Sequence, residues 1–263
     1  MLKSSNLDIF KISEESGGYI SANSIVFNNI PINPNSKEIL QESITGTPLI
    51  RLGKNSSNIS PMDDTYFTND SNGKKVMIIA GVHGNELPPQ IAAIHLIHRL
   101  KNIKLNGEIY IIPFSAPKST MNNSRWFDGA DLNRIASKQG SITNNILNMA
   151  KKLNVDSIGD FHSTGPNSMP GKEAIFCTKD PSPESYDIAK YIAKAIDSEI
   201  LFYPIAGQDF QGTIEDECNL IGIPAVTCEV FCQNGYADKK SYTRSLEQML
   251  SYLSYFGIIS DEF

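Results

Sequence analysis

The stretch Val76-Met-Ile-Ile-Ala80-Gly-Val-His83-Gly-Asn-Glu86 decides the fold. Residues 76–80 form an unbroken apolar run, the mark of a strand covered on both faces. A polar cluster containing two glycines follows at once. Pro88 and Pro89 then fall where a first helical turn tolerates proline, and Ile91, Ile94 and His98 share one helix face. Strand, polar turn and helix make the unit of an open α/β sheet, which presents its ligands at the carboxyl ends of its strands.

The same alternation continues downstream. Apolar runs predict strands at 108–113, 155–161, 174–178, 199–203 and 224–231, and helical spacing predicts helices at 145–153, 183–196, 213–220 and 241–255. Residues 113–136 read as irregular. The expected fold is α/β, a mixed, mostly parallel central sheet flanked by helices. Upstream, residues 1–75 are rich in Asn, Ser and Pro, with short apolar pieces at Tyr19-Ile20, Ile25-Val26-Phe27 and Pro48-Leu49-Ile50. They predict a short β-rich N-terminal segment packed on the core, leaving 76–263 as the catalytic domain.

Composition narrows the function classes. With 263 residues the chain can bury one substantial core. A net charge of -6 and a pI near 5.3, without a dense Lys/Arg stripe, argue against nucleic-acid binding. Neither a signal-peptide core nor a membrane-length apolar run is legible, so a cytoplasmic protein with no membrane partner is expected. Cys177, Cys218, Cys228 and Cys232 lack a second pair at zinc-ribbon spacing and read as buried structural residues.

Four strings carry chemistry: the His83-Gly-Asn-Glu86 turn, Asp131-Leu-Asn133-Arg134, Asp160-Phe-His162-Ser-Thr, and Thr227-Cys-Glu229. His83 and Glu86 follow one strand, and His162 ends another. Two imidazoles and one carboxylate at neighbouring strand ends supply three zinc ligands and leave a fourth position open. Glycines at 81 and 84 let the backbone turn tightly around His83. His95 and His98 lie on the helix without an acidic partner at ligand spacing and read as ordinary helix residues. Glu229 closes a buried run, where an unpaired carboxylate is expensive; it is either a salt-bridged structural acid or a general base. Only five of the 23 basic residues are Arg. Two of them, Arg125 and Arg134, bracket the irregular segment, and a planar guanidinium grips a carboxylate in a way that Lys cannot.

Taken together, and in this order, the strings resemble the succinylglutamate desuccinylase/aspartoacylase family, a branch of the carboxypeptidase A-like zinc hydrolases, over roughly residues 74–235. The resemblance implies one zinc per chain on His83, Glu86 and His162, with Glu229 as general base. It implies that Asn133 and Arg134 hold the substrate, that Arg125 polarises the scissile carbonyl, and that Asp131 orients the first zinc histidine. The implied partner is a small molecule or peptide with a free carboxylate, cleaved at the adjacent amide bond.

Aspartoacylase-type members carry a C-terminal β domain, whereas the residues after Glu229 here read mostly as one helix. That layout is closer to zinc carboxypeptidases and murein-peptide amidases, so the acyl group is not implied. A non-catalytic module binding acidic peptides is the competing class, and a Glu229 base argues against it. A serine hydrolase using Ser163 or Ser168 lacks the G-x-S-x-G elbow. Tyr236 and Tyr242 are the candidates for an assisting tyrosine.

Overall fold

In the computed structural model, full detail covers residues 73–100 and 105–260, apart from the side chain of His98; upstream, four short strands are described by their backbone. Three of these, β1 (Gly18–Ile20), β2 (Ile25–Phe27) and β3 (Ile30–Ile32), form an antiparallel sheet. How the rest of residues 1–72 packs lies outside the described residues.

The central sheet has seven strands: β4 (Ile50–Gly53), β5 (Lys74–Ala80), β6 (Gly107–Ile112), β9 (Ser157–Thr164), β10 (Ala174–Asp180), β11 (Glu199–Ile205) and β12 (Ala225–Phe231). Their order is β11-β10-β12-β9-β5-β6-β4. β6, β5, β9 and β12 run parallel, so their carboxyl ends share one edge. β10 runs antiparallel to β12 and carries β11 parallel to itself, and β4 closes the far edge antiparallel to β6. The first strand of the sheet thus comes from the segment upstream of residue 75.

Helices α1 (Leu87–Leu100), α4 (Glu184–Ile196) and α6 (Lys239–Tyr255) cover one face; α3 (Ile142–Leu153) and α5 (Ile214–Leu220) cover the other. Strand β5 shows why its sequence lacks alternation. Val76, Ile78 and Ala80 enter the first core while Met77 and Ile79 enter the second, and all five are fully buried. Each side chain removed from water there contributes about 1.5–3 kcal/mol before entropy is counted.

Local chemistry sets the helix ends. Ser141 caps α3 by accepting from the Asn144 amide, and Asn154 ends it in the left-handed conformation. Asp238 and Ser241 form a reciprocal capping box on α6. Between β6 and α3 lie the short helix α2 (Pro117–Met121), the hairpin β7 (Trp126–Phe127) and β8 (Ala130–Asp131), and a 3-10 turn, Leu132–Arg134. Among the described residues no helix is long and apolar enough to cross a membrane.

All four cysteines are free and buried. Burial pushes the Cys177 thiol up to about 12 and those of Cys218 and Cys228 well above their usual value, so these thiols are inert.

The two glycines around His83 have different work. Gly81 turns the chain off β5 with φ of +71°. Gly84 has no Cβ because one would lie 2.0 Å from the Ser119 carbonyl carbon and 2.2 Å from the Thr120 nitrogen, both backbone atoms of α2. Gly84→Ala should therefore force the His83 turn away from α2. The expected cost is about 1–3 kcal/mol of stability, typical of overpacking. Urea denaturation measures it, and an unchanged midpoint would show that the two backbones do not need this approach.

Candidate metal centre

His83 lies just beyond β5, in a turn closed by the Glu86 amide donating to the His83 carbonyl at 3.2 Å. Gln90, one turn into α1, clamps that turn from beneath: its Nε2 donates to the Glu86 carbonyl at 2.9 Å and to the Gly84 carbonyl at 3.2 Å. Thr120 holds the other end of the Gln90 amide at 2.8 Å. Sequence reading gave Gln90 no role, because its partners are backbone atoms brought close only by the turn.

The carboxylate of Glu86 bridges the two histidines. His83 Nδ1 is 2.7 Å from its Oε1, and His162 Nδ1 is 2.7 Å from its Oε2. The Ser163 amide also donates to Oε2, at 3.2 Å. All three residues are buried, and one ligand atom from each lies within 4.8 Å of the others, close enough to hold a metal ion.

The outward ring nitrogens face carboxylates: His83 Nε2 is hydrogen-bonded at 2.9 Å to Asp131 Oδ1, and His162 Nε2 lies 2.9 Å from Asp160 Oδ2 as an ion-pair contact. Each outer carboxylate fixes the orientation of its ring and leaves the inner Nδ1 toward the centre. Two imidazoles and a carboxylate, each steadied from behind, fit the donor set of zinc. Asp131 stands behind the His83 ring, where it can orient it. Asp160 was quoted only as part of a motif, yet it is the corresponding partner of His162.

Burial and charge act in opposition on Glu86 and His162. Burial favours neutral Glu86, but His83 and His162 override it and hold the carboxyl well below its usual range. Burial likewise opposes charge on His162, while Asp160 and Glu86 outweigh it and raise the imidazole well above its usual value. At Asp131, burial is overcome first by His83 and then by Arg125. Metal binding to such a ligand set releases whatever protons the ligands hold.

Glu229 reaches the same place through strand register. It stands opposite His162 on β9 and opposite Ala174 on β10. Side chains two apart on a strand share a face, so Glu229 and Thr227 on β12 project with His162 and Asp160 on β9 toward α5. Glu229 is buried, its Oε2 has no hydrogen-bond partner, and burial followed by the Glu86 charge pushes it well above the usual carboxylate range. A divalent cation nearby would oppose both effects.

Arg125 is half-buried and bonded to two acids. Its Nε and one terminal nitrogen donate to Asp131 Oδ2 at 3.2 and 2.9 Å, and the other terminal nitrogen donates to Glu86 Oε1 at 3.1 Å. Arg134 donates to the Asn133 carbonyl at 2.6 Å and lies 5.8 Å from the centre of the Phe210 ring. Asn133 is committed on both sides. Its Oδ1 accepts from the Ile214 amide at 3.0 Å, and its Nδ2 lies 3.4 Å from His162 Nε2.

These groups border one cleft of about 580 Å³ that also takes in Ser163, Phe176, Phe210 and Glu215. His83, Glu86, His162, Glu229, Arg125, Asn133 and Arg134 all line it, and Asp131 stands directly behind His83. Ser163 Oγ has no hydrogen-bond partner and hence no base to activate it. His95 instead stacks on Tyr242 at 5.3 Å, and the His98 side chain lies outside the described residues. Neither Tyr236 nor Tyr242 is among the cleft residues.

The sequence of residues 72–256 matches the succinylglutamate desuccinylase/aspartoacylase catalytic domain. No curated protein matches the chain. Among solved structures, the chain is similar to a succinylglutamate desuccinylase/aspartoacylase from Rhodobacter sphaeroides, with TM-score 0.55, 18% identity, and coverage of 72% of this chain and 57% of that one. It is also similar to the product-bound ectoine utilization protein EutE (DoeB) from Ruegeria pomeroyi, with TM-score 0.58, 18% identity, and coverage of 73% and 60%. The tripeptide-bound cell shape determinant Csd4 from Helicobacter pylori gives TM-score 0.62, 14% identity, and coverage of 81% and 56%. The chain thus spans under two thirds of each of these structures, and at such identities the likeness is one of fold. The family match extends over more than half of the sequence, and the chain belongs to the succinylglutamate desuccinylase/aspartoacylase catalytic-domain family.

Proposed function

We propose that the protein is a zinc-dependent amidohydrolase that cleaves an amide bond next to a free carboxylate, removing the acyl group from an N-acyl amino acid. The observation that carries this reading is Glu86 held between two imidazole Nδ1 atoms at 2.7 Å, in one cleft with two arginines and with Glu229, whose Oε2 has no hydrogen-bond partner. A module that only binds acidic peptides has no use for a buried base.

Zinc held by His83, Glu86 and His162 would supply Lewis acidity toward the scissile carbonyl and toward water. Glu229 takes a proton from the attacking water and passes it to the leaving nitrogen, so the acyl carbon gains oxygen as the C–N bond breaks. Arg125, already beside Glu86, offers its charge to the carbonyl oxygen as negative charge develops. Arg134, braced by the Asn133 carbonyl, takes the free carboxylate through its planar fork. Asn133 acts by fixing the turn that presents Arg134. Asp131 and Asp160 keep the two ligand rings oriented.

A peptide with a C-terminal carboxylate offers the same groups to this cleft. The Helicobacter pylori neighbour is described with a bound tripeptide. Carboxypeptidase or murein-peptide amidase action is therefore the second reading, and short peptides belong in the same assays. An N-terminal segment packed on the catalytic domain, and a cytoplasmic location, complete the proposal.

Elemental analysis should find about one zinc per chain, as a three-ligand catalytic set implies. His83→Ala or His162→Ala should abolish it, and Asp160→Asn should weaken it about 10–100-fold, as loss of an outer carboxylate does. Retention of full zinc by both alanine variants would sink the proposed centre.

Glu229→Gln keeps size while removing the base. Its zinc content should match that of the parent while turnover falls about 10²–10⁴-fold, the usual contribution of general acid–base catalysis. An unchanged kcat would rule out the assigned role.

Arg134→Lys retains charge but loses the bidentate geometry, and should cost about 1.5–3 kcal/mol in kcat/KM, the range for a hydrogen bond to a charged group. Pairing each substrate with its C-terminal amide checks the reason. Equal kcat/KM for acid and amide would mean that no carboxylate is read by Arg134.

A further inference from the structure

Gln90 and Gln248 are the glutamines that the described residues bury, and neither exposes any surface. A primary amide sealed from water is costly unless both of its ends are bonded. At Gln90 both are. Its Nε2 donates to the Glu86, Gly84 and His83 carbonyls at 2.9, 3.2 and 3.4 Å, and its Oε1 accepts from the Thr120 hydroxyl at 2.8 Å. Three carbonyls of one turn thus converge on a single nitrogen, and that turn carries two of the three residues of the metal centre. The remaining carbonyl of the turn, that of Asn85, accepts from the Gly235 amide at 2.7 Å. Gly81 leaves room for the clamp, since a Cβ there would lie 3.1 Å from Gln90 Cδ.

The same amide sets the turn against α2. Thr120 belongs to α2, whose backbone also meets Gly84. Helix α2 is tied in turn to the segment that follows it. The Ser124 amide donates to the Ser119 carbonyl at 2.9 Å, and the Ser119 hydroxyl donates to the Trp126 carbonyl at 3.1 Å. That segment carries Arg125 and, across the β7–β8 hairpin, Asp131, which return to Glu86 at 3.1 Å and to His83 at 2.9 Å. Gln90 therefore closes a ring of contacts running from the ligand turn through α2 to the two groups bonded to the ligands.

We propose that Gln90 is a positioning residue of the metal centre, one that fixes His83 and Glu86 in the geometry that takes the ion, so that its loss weakens metal binding in protein that is still folded. Of the hydrolase reading, this rests only on a metal held by His83, Glu86 and His162. A ligand set that must be ordered as the ion arrives binds it less tightly than one already in place, and the groups behind the ligands decide which of the two obtains. The clamp acts on backbone carbonyls, so removing it leaves every ligand side chain present.

Zinc titration of the metal-stripped full chain against a chromogenic chelator tests this, with thermal melting of the metal-free protein as the measure of fold. Gln90→Met keeps an unbranched buried side chain and removes both polar ends. Thr120→Val keeps shape and removes only the hydroxyl that orients the amide. Gln248→Met is the matched control, because Gln248 is an equally buried amide whose Nε2 donates to the Glu229 carbonyl at 3.1 Å and not to the ligand turn. The zinc Kd should rise about 10–100-fold in Gln90→Met, as it does on loss of a group behind a metal ligand, and by less in Thr120→Val. Gln248→Met should lower the melting temperature and leave the zinc Kd as in the parent. A parental Kd in folded Gln90→Met overturns the proposal. Equal weakening in Gln248→Met does so too, because it reduces the effect to the loss of any buried amide. Should Gln90→Met fail to fold, Thr120→Val decides, and a parental Kd there overturns the proposal. A parent chain that binds no zinc removes the metal centre and this role with it. Zinc binding that depends on Gln90, without hydrolysis of any N-acyl amino acid or peptide, removes the hydrolase reading and leaves this one standing.

Discussion

One buried carboxylate organises this molecule. Glu86 stands between two imidazoles that arrive from different strands, and both of its oxygens are taken at 2.7 Å. A lone ionised carboxylate at that depth would be unstable by several kcal/mol, so its partners cannot be optional. The surroundings follow from that demand. Gln90 and Thr120 hold the turn that carries it, Gly84 lets that turn press against α2, and Asp131 and Asp160 hold the far sides of the two rings. The parallel alignment of β5 and β9 brings the two histidines to the same sheet edge. A divalent cation would complete this arrangement with a charge that all three residues share.

Much of this was legible in the sequence because its signals are local. A five-residue apolar run without alternation, closed by a glycine turn, is too short for a helix and reads as a strand buried on both faces, and β5 feeds both cores. His83 and Glu86 are three residues apart, so their meeting needs only one turn. The reversal of β10 was legible as well, although residues 155–178 were read simply as two successive strands. Only a short loop joins Thr164 to Ala174, too short for the crossover that a parallel neighbour requires. Strand boundaries drifted by a few residues for a simple reason. Hydrogen bonding continues past the apolar run wherever polar side chains face a site, as His162, Ser163 and Thr164 do on β9.

What stayed hidden depends on contacts distant in sequence or masked by a stronger local explanation. Glu215 is followed by Asp216 and Glu217 in the first turn of a helix, where acids are favoured by the helix dipole alone. Nothing in that pattern separates the one acid that turns into the cleft. Gln90 looked like an ordinary helix residue because every group it binds is brought close only by folding. Asp160 could have been found: strand periodicity puts it on the same face as His162, two residues away, and only a partner for a buried imidazole explains an acid in the middle of a buried strand.

The placement of Asn133 bears on how the cleft reads charge. Its side chain joins the start of α5 to the turn before Arg134 and also approaches His162. Removing it would disturb His162, the turn before Arg134 and the start of α5 together, so its loss reports on the frame more than on any one contact. Arg134 differs, because its side chain is exposed where it borders the cleft and lies 5.8 Å from the centre of the Phe210 ring. Through one side chain Asn133 thus couples the His162 ring to the turn that carries Arg134 and to the start of α5.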